Sequence, residues 1–241
     1  MNKSRKLWKK AKSIIPGGNM FLSKRLNNDT IKEWPIYFSK SKGCFVWDLN
    51  KKKFIDVGLM GVGTNVLGFN NKFVNKSVNS AIKNGNMSSL NSLEELQLAQ
   101  EMINLHKWAG MAKFAKTGGE ANALAIRIAR AYTNSDKIAV CGYHGWYDWY
   151  LAANLDHKNN LKNHLSNNLK ISGVPKSLKK TIFPFEYNNF NKFKRLVKNK
   201  KIKVVKMEIR RFDEPKDNFL QKIRNYTKRN NILLIFDECT T

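Results

Sequence analysis

Apolar and polar positions fall into blocks along the 241-residue chain, and the spacing changes from block to block. Lys137 to Cys141 is a short apolar run. Ile232-Leu233-Leu234-Ile235-Phe236 is an unbroken one, of the kind that a parallel sheet buries on both faces. Ile202 to Met207 predicts another strand, with Glu208 at its C-terminal end. Around these runs, apolar residues recur at helical spacing. They are Ala121, Leu124, Ala125, Ile128 and Tyr132, then Phe190 to Val197, then Phe219, Leu220, Ile223 and Tyr226. The first set predicts a mostly buried helix. Strands alternating with helices, without an internal repeat, predict an α/β doubly wound sheet.

The N-terminal part has a different pattern. Leu7, Trp8, Ala11, Ile14 and Ile15 share one face of a basic helix that ends at Pro16-Gly17-Gly18, and the first acidic residue is Asp29. The pattern fits a presequence, a membrane-surface helix or a helix packed on the body, and the run straight into ordered-looking sequence favours the last. Cys44 to Asp48 and Phe54 to Val57 flank Leu49–Lys53 as a hairpin. The glycine-rich stretch Gly58 to Gly68 can approach a ligand or another subunit, or serve only as a flexible connection. Phe73, Val74, Val78, Ala81 and Ile82 predict a helix closed by Asn84-Gly85. Ser92 with Glu95 forms a capping box that opens another helix, through Leu93, Leu96, Ala99 and Ile103. We expect residues 1–68 to form a small α+β segment of helix, hairpin and glycine-rich loop, and residues 69–241 a larger domain.

The chemistry concentrates between Phe114 and Tyr150. Met111 to Lys116 predicts a strand, and Thr117-Gly118-Gly119-Glu120 then places a threonine N-cap three residues before a glutamate. Glycine amides at a helix N-terminus can approach a phosphate closely, although the same turn can exist with no ligand. The strand at Lys137–Cys141 empties into Gly142-Tyr143-His144-Gly145. A parallel βαβ unit brings both turns to one edge, so together they suit a flat, phosphorylated ring. Asp237 stands where the last strand stops, beside Glu238 and Cys239. It could pair with a protonated pyridine nitrogen or merely cap the next turn.

Composition narrows the function classes. Lys+Arg 44 against Asp+Glu 18 leaves +26, a charge that attracts polyanions. The lysines are scattered among asparagines, with no zinc-finger, recognition-helix or RNA-binding pattern, so we read the charge as a solvated surface. The rival reading is a basic, non-catalytic nucleic-acid-binding protein. Cys44, Cys141 and Cys239 lie far apart without a CxxC pair, which suggests reduced thiols and a cytoplasmic protein. His157 and His164 read as surface histidines without a third ligand, so no metal is expected. No segment has the apolar length to cross a bilayer.

The run TGGEANALAIRIARAYT followed by GYHGWYDWY resembles the phosphate-binding helix and ring-stacking turn of class III aminotransferases. These are fold-type I pyridoxal-phosphate enzymes, and the glutamate-1-semialdehyde 2,1-aminomutase branch is the most similar. The resemblance extends from the PGG near residue 16 to the terminal FDECTT. It implies a pyridoxal-phosphate transferase fold and amino-group transfer between small-molecule donors and acceptors, in a homodimer. Gly118 and Gly119 would hold the phosphate with Thr117 as neighbour. Tyr143 would stack on the ring with His144 beside it, Asp237 would be the catalytic partner of the pyridine nitrogen, and Cys239 would pack beneath the ring. Glu208 matches a glutamate that ends the preceding strand. Gly119 replaces a threonine that is usual in the family, and Ile209-Arg210-Arg211 replaces the proline that usually follows the glutamate. The branch recognises the substrate carboxylate through an arginine after its PGG. This chain has Asn19-Met20-Phe21-Leu22-Ser23-Lys24-Arg25, which leaves Lys24 or Arg25 to supply that charge. The family's Schiff-base lysine lies downstream of the aspartate motif, beyond Thr241. The resemblance therefore implies an N-terminal portion of the fold, acting as a weak cofactor binder or as a half-enzyme completed by a C-terminal partner.

Overall fold

The computed structural model describes residues 3–21, 24–26, 34–58, 60–61, 63–164, 170–210 and 213–239. Leu22, Ser23, Asp29, Arg211, Thr240 and Thr241 lie outside the described residues, as do Leu59 and Val62 of the glycine-rich stretch. The chain forms two compact units, Met1–Glu95 and Leu96–Thr241.

In the first unit, helix α1 (Lys3–Ile14) buries Ser4, Trp8 and Ala11, a narrow stripe at helical spacing. Leu7, Ile14 and Ile15, assigned to the same face by spacing, are exposed. Three strands follow: β1 (Phe38–Lys42), β2 (Phe45–Asp48) and β3 (Lys53–Ile55), in an antiparallel sheet of that order. The predicted hairpin is β2–β3, and Asp48 holds its turn by accepting from the Asn50 and Lys52 amides at 2.8 and 2.9 Å. Strand β1 had no clear signal, because FSKSK carries one apolar residue in five. Helix α2 (Lys72–Lys83) is capped by the Asn71 side chain and closes at Asn84, with Gly85 at φ +86°.

The second unit begins with most of helix α3 (Leu93–Leu105). Ser92 bonds the Glu94 carboxylate, so its hydroxyl serves the neighbour of the predicted partner Glu95. The strand predicted at Met111–Lys116 is absent, since those residues join no ladder. Alanine and lysine are weak strand formers, and no described strand lies alongside to pair with the segment.

Four strands make the main sheet: β4 (Ile138–Cys141), β5 (Ile182–Pro184), β6 (Val204–Glu208) and β7 (Leu233–Asp237). All pairings are parallel, in the order β5-β4-β6-β7. Strand β5 escaped sequence reading because it is three residues long and ends in proline. Helix α4 (Gly118–Thr133) lies on one face, packed with Ile138, Val140 and Val204. Helices α5 (Phe190–Lys200) and α6 (Phe219–Arg229) lie on the other, where Phe193, Val197, Phe219 and Ile223 meet Ala139, Cys141, Val205 and Met207. Successive strand residues thus feed opposite cores, which is the doubly wound arrangement expected.

Two burial expectations fail in this unit. Helix α4 buries Ile126 and Ala129, while Ile128 and Tyr132 are exposed. An alanine-rich helix has enough weakly apolar positions to support more than one face assignment, and contact with β4 and β6 selects among them. Strand β7 is only partly buried, and Phe236 is exposed, because β7 is an edge of the sheet with one partner strand.

Candidate functional site

The C-terminal ends of β4, β6 and β7 lie side by side in register, with Cys141 opposite Met207 and Glu208 opposite Asp237. Strand parity then places Lys206, Glu208 and Asp237 on the face that carries α4. This is the edge at which open parallel sheets collect ligands.

The N-terminus of α4 comes to the same edge. Thr117 Oγ1 accepts from the Glu120 amide at 3.2 Å, and Glu120 Oε2 accepts from the Thr117 and Lys116 amides at 3.1 and 2.9 Å. The predicted capping box is complete. It uses the donors on either side of Gly118 and Gly119, whose own first-turn N–H groups have no intrahelical acceptor. A Cβ on Gly118 would sit 3.6 Å from Cys239 Sγ, and a Cβ on Gly119 would collide with the Tyr147 ring. Gly119 is therefore pressed against the aromatic turn, whereas Gly118 only neighbours the end of β7.

That aromatic turn is held from several sides. The Tyr143 amide donates to Glu208 Oε2 at 2.9 Å, and Gly142, at φ +100°, leaves the room that the Glu208 carboxylate occupies. The Gly142 amide donates to His164 Nδ1 at 2.9 Å, and the Tyr150 hydroxyl donates to the Gly142 carbonyl at 2.7 Å. Asn122 of α4 donates to the His144 carbonyl at 3.4 Å. Tyr143 is half-buried and meets Tyr150 edge-on, with ring centroids 6.2 Å apart.

At the end of β7, Asp237 is buried. His144 Nδ1 lies 2.9 Å from its Oδ2, Lys206 Nζ lies 3.0 Å from the same oxygen, and the Cys239 amide donates to Oδ1 at 3.2 Å. The other His144 nitrogen, Nε2, is 3.1 Å from the Cys141 carbonyl oxygen. Burial pushes the Asp237 carboxyl up, but the His144 hydrogen bond and the Lys206 ammonium outweigh it and hold the group well below the usual carboxylate range. Burial pulls His144 down against the opposing pull of Asp237, so the imidazole is neutral at neutral pH. Burial likewise lowers Lys206, opposed by Asp237. His164 is lowered to about 4 by burial and by His144. Burial with nearby Glu208 pushes the Cys141 thiol up to about 12, which makes it inert as a nucleophile.

Thr117, Gly118, Gly119, Tyr143, His144, Glu208, Asp237 and Cys239 are thus brought to one sheet edge. Lys24 and Arg25 belong to the first unit, where the Lys24 ammonium lies over the Phe21 ring and Arg25 packs on Gly17. His157 is exposed as expected, whereas His164 is 8% exposed and not a surface residue. Its surrounding Lys/Asn-rich sequence hid its contact with the Gly142 amide. Sequence reading also missed Lys206. The signal was there: a charged residue interrupts VVKME, two positions before Glu208 and so on the same strand face. Among the described residues, no cluster of His, Cys, Asp and Glu could hold a metal, and no helix is long and apolar enough to cross a membrane.

The sequence pattern described as aminotransferase class-III matches residues 27–241. The chain belongs to that family. It is 30% identical to the 3-aminobutyryl-CoA aminotransferase of Cloacimonas acidaminovorans, with 98% of this chain and 55% of that protein aligned. It is also 30% identical to the glutamate-1-semialdehyde 2,1-aminomutase of Sulfurisphaera tokodaii, over 99% of this chain and 56% of that protein. In fold it is similar to an omega-transaminase from Sphaerobacter thermophilus, with a TM-score of 0.83 at 21% identity over 98% of this chain and 55% of that one. The chain spans about half the length of these class III aminotransferase relatives. The fold is the α/β transferase fold that the TGGEA and GYHGWYDWY runs implied, and the family is the pyridoxal-phosphate-dependent one.

Proposed function

We propose that this chain binds pyridoxal phosphate, with the phosphate on the Gly118 and Gly119 amides and the ring nitrogen toward Asp237. The enzyme to which it contributes these residues would transfer amino groups as an aminotransferase or aminomutase. The observation that supports this most strongly is the meeting of the glycine turn, the Tyr143–His144 turn and Asp237–Cys239 at one sheet edge, with Cys239 Sγ close against Gly118. The chain's groups fit the cofactor at both ends: two first-turn amides without intrahelical acceptors and a helix dipole suit a phosphate, and a buried carboxylate suits a basic ring nitrogen.

When bound, the cofactor supplies an electron-withdrawing ring conjugated to the substrate's amino-bearing carbon. Each residue then has a distinct task. Glu208 fixes the Tyr143 backbone, which sets where the aromatic ring stands. His144 orients Asp237. Thr117 and Glu120 hold the first turn of α4 open to an anion, and Cys239 lines the space beside Gly118. Lys24 or Arg25 is our candidate for recognising a substrate carboxylate.

We further propose a homodimer, supported by the apolar side chains that α2 exposes at Phe73, Val74, Val78 and Ile82. Residues 1–68 would serve as a small segment before the large domain of residues 69–241. We assign a cytoplasmic location on the three unpaired cysteines. Tryptophan fluorescence quenching tests the binding proposal. Saturable quenching by pyridoxal phosphate, competed by inorganic phosphate and weakened at least tenfold in Tyr143→Ala, is expected. Quenching that is linear in ligand, or indifferent to phosphate, would refute it.

A further inference from the structure

We infer that the N-terminal edge of the main sheet is a docking surface for single-stranded nucleic acid, held through its phosphates. This surface lies at the other end of the strands from Asp237 and does not depend on the cofactor. All four strands are parallel, so their N-terminal ends share one edge. Lysines that look scattered in the sequence are gathered there. Lys137 precedes β4, Lys180 precedes β5, Lys201 and Lys203 precede β6, and Lys228 and Arg229 close α6 before β7. All six are exposed, and among the described residues none of them takes part in an ion pair. The pairing of Ile138 with Ile182 and Val204, and of Val204 with Leu233, sets the row at one level, about 14 Å long at the usual strand spacing.

Two features of the row work against the stability of the fold. Lys137 and Lys203 stand directly before the paired Ile138 and Val204, so like charges are neighbours across strands. Lys180 and Lys201 have φ of +62° and +54°, in turns whose counterparts before β4 and β7 hold Asn134 and Asn231. Asparagine adopts that conformation more easily, so lysine there adds charge at a backbone cost. The acids nearby are Asp136, whose charge bears on Arg130, and Asp156, 3.9 Å from Lys179. No acid occurs in residues 187–207 or 218–236, so α5 and α6 extend the positive surface without interruption. Charge of one sign attracts a polyanion, and two observations choose which. Helices α5 and α6 expose no large apolar side chain, so this face has nothing to insert into a bilayer. Tyr132, in the last turn of α4 before Lys137, is 81% exposed and offers an unpaired base a ring to stack on.

The test is fluorescence anisotropy of a labelled single-stranded oligonucleotide of mixed sequence, about 20 nucleotides long, with the full chain across a salt series. Saturable binding is expected. Lys201→Gln, Lys203→Gln, Lys228→Gln and Arg229→Gln together should weaken it by about tenfold or more and lessen the slope of log K against log salt by about 2. Lys6→Gln, Lys9→Gln, Lys10→Gln and Lys12→Gln in α1 remove the same charge and should weaken it by less than about threefold. Equal weakening in the two variants, or no saturable binding by the unmodified chain, would overturn the inference. A footprint on the unmodified chain guards against a variant that does not fold. The oligonucleotide should shield Lys137, Lys180, Lys201 and Lys203 from acetylation but not the α1 lysines, and shielding of both sets alike, or of neither, would also overturn it. Tyr132→Ala should weaken binding by about threefold or more with the salt slope unchanged, and no weakening would defeat the assignment to single strands. Phosphatidylserine vesicles at equal phosphate concentration should bind more weakly than the oligonucleotide, and tighter binding to the vesicles would give the surface to a membrane instead.

Discussion

The two ends of the site are built from different materials. At the α4 end, recognition rests on backbone: two glycine amides, exposed by a capping box and shaped by the close approach of Tyr147 and Cys239. At the β7 end it rests on charge, with Asp237, His144 and Lys206 packed where water is excluded. A backbone site tolerates changes in its neighbours as long as the turn keeps its path. A buried charge cluster does not, because removing one partner leaves the others desolvated and unpaired. The two ends should therefore respond very differently to substitution.

The largest effect is expected at the charged end. Asp237→Ala strands the Lys206 ammonium without its carboxylate, and urea unfolding should show a loss of roughly 3–5 kcal/mol. A loss below about 1 kcal/mol would mean that the ion pair carries little of the local structure.

Acid should separate the two ends next. His164 accepts from Gly142 as a neutral ring, and its folded value of about 4 lies below the ordinary 6.5. The folded state is thus favoured fully above pH 6.5 and loses that advantage as the pH falls toward 4, because the unfolded chain takes up the proton first. Urea midpoints across this window should record a fall on the order of 3 kcal/mol from His164, and His164→Gln should remove that share while leaving the part due to buried His144.

Glycine substitutions probe the other end. Gly119→Ala drives a methyl into the Tyr147 ring and should cost roughly 1–3 kcal/mol, with weaker phosphate binding. Gly118→Ala makes only an ordinary contact with Cys239 and should change stability by less than about 1 kcal/mol. Equal effects of the two substitutions would remove the close approach of Tyr147 from the account. Thr117→Ala, which deletes half of the capping box, should lower stability by about 1 kcal/mol in a urea titration.

The same division decides what was legible in the sequence. The α4 end was readable because its physics is local: Thr117, two glycines and Glu120 are consecutive, and capping chemistry acts within one turn. Asp237 and Glu208 were readable as residues that end apolar runs. The charged end depends on register between strands, and no local pattern shows that β6 lies beside β7 with Lys206 reaching toward Asp237. His164 and β5 were hidden for the same reason, since the contacts that bury them come from β4 and the turn beyond it. The buried face of α4 was assigned differently because several alanines offered no strong contrast. The strand expected at Met111–Lys116 had apolar residues but no ladder to join.

The central claim is that one site, spanning the Gly118–Gly119 turn and Asp237, receives pyridoxal phosphate. The most direct measurement is a crystal structure of the chain grown with that compound. The account predicts phosphate oxygens on the Gly118 and Gly119 amides and the ring nitrogen at hydrogen-bond distance from the Asp237–Lys206 pair. Density for the compound at any other surface, with this edge filled only by solvent, would contradict it.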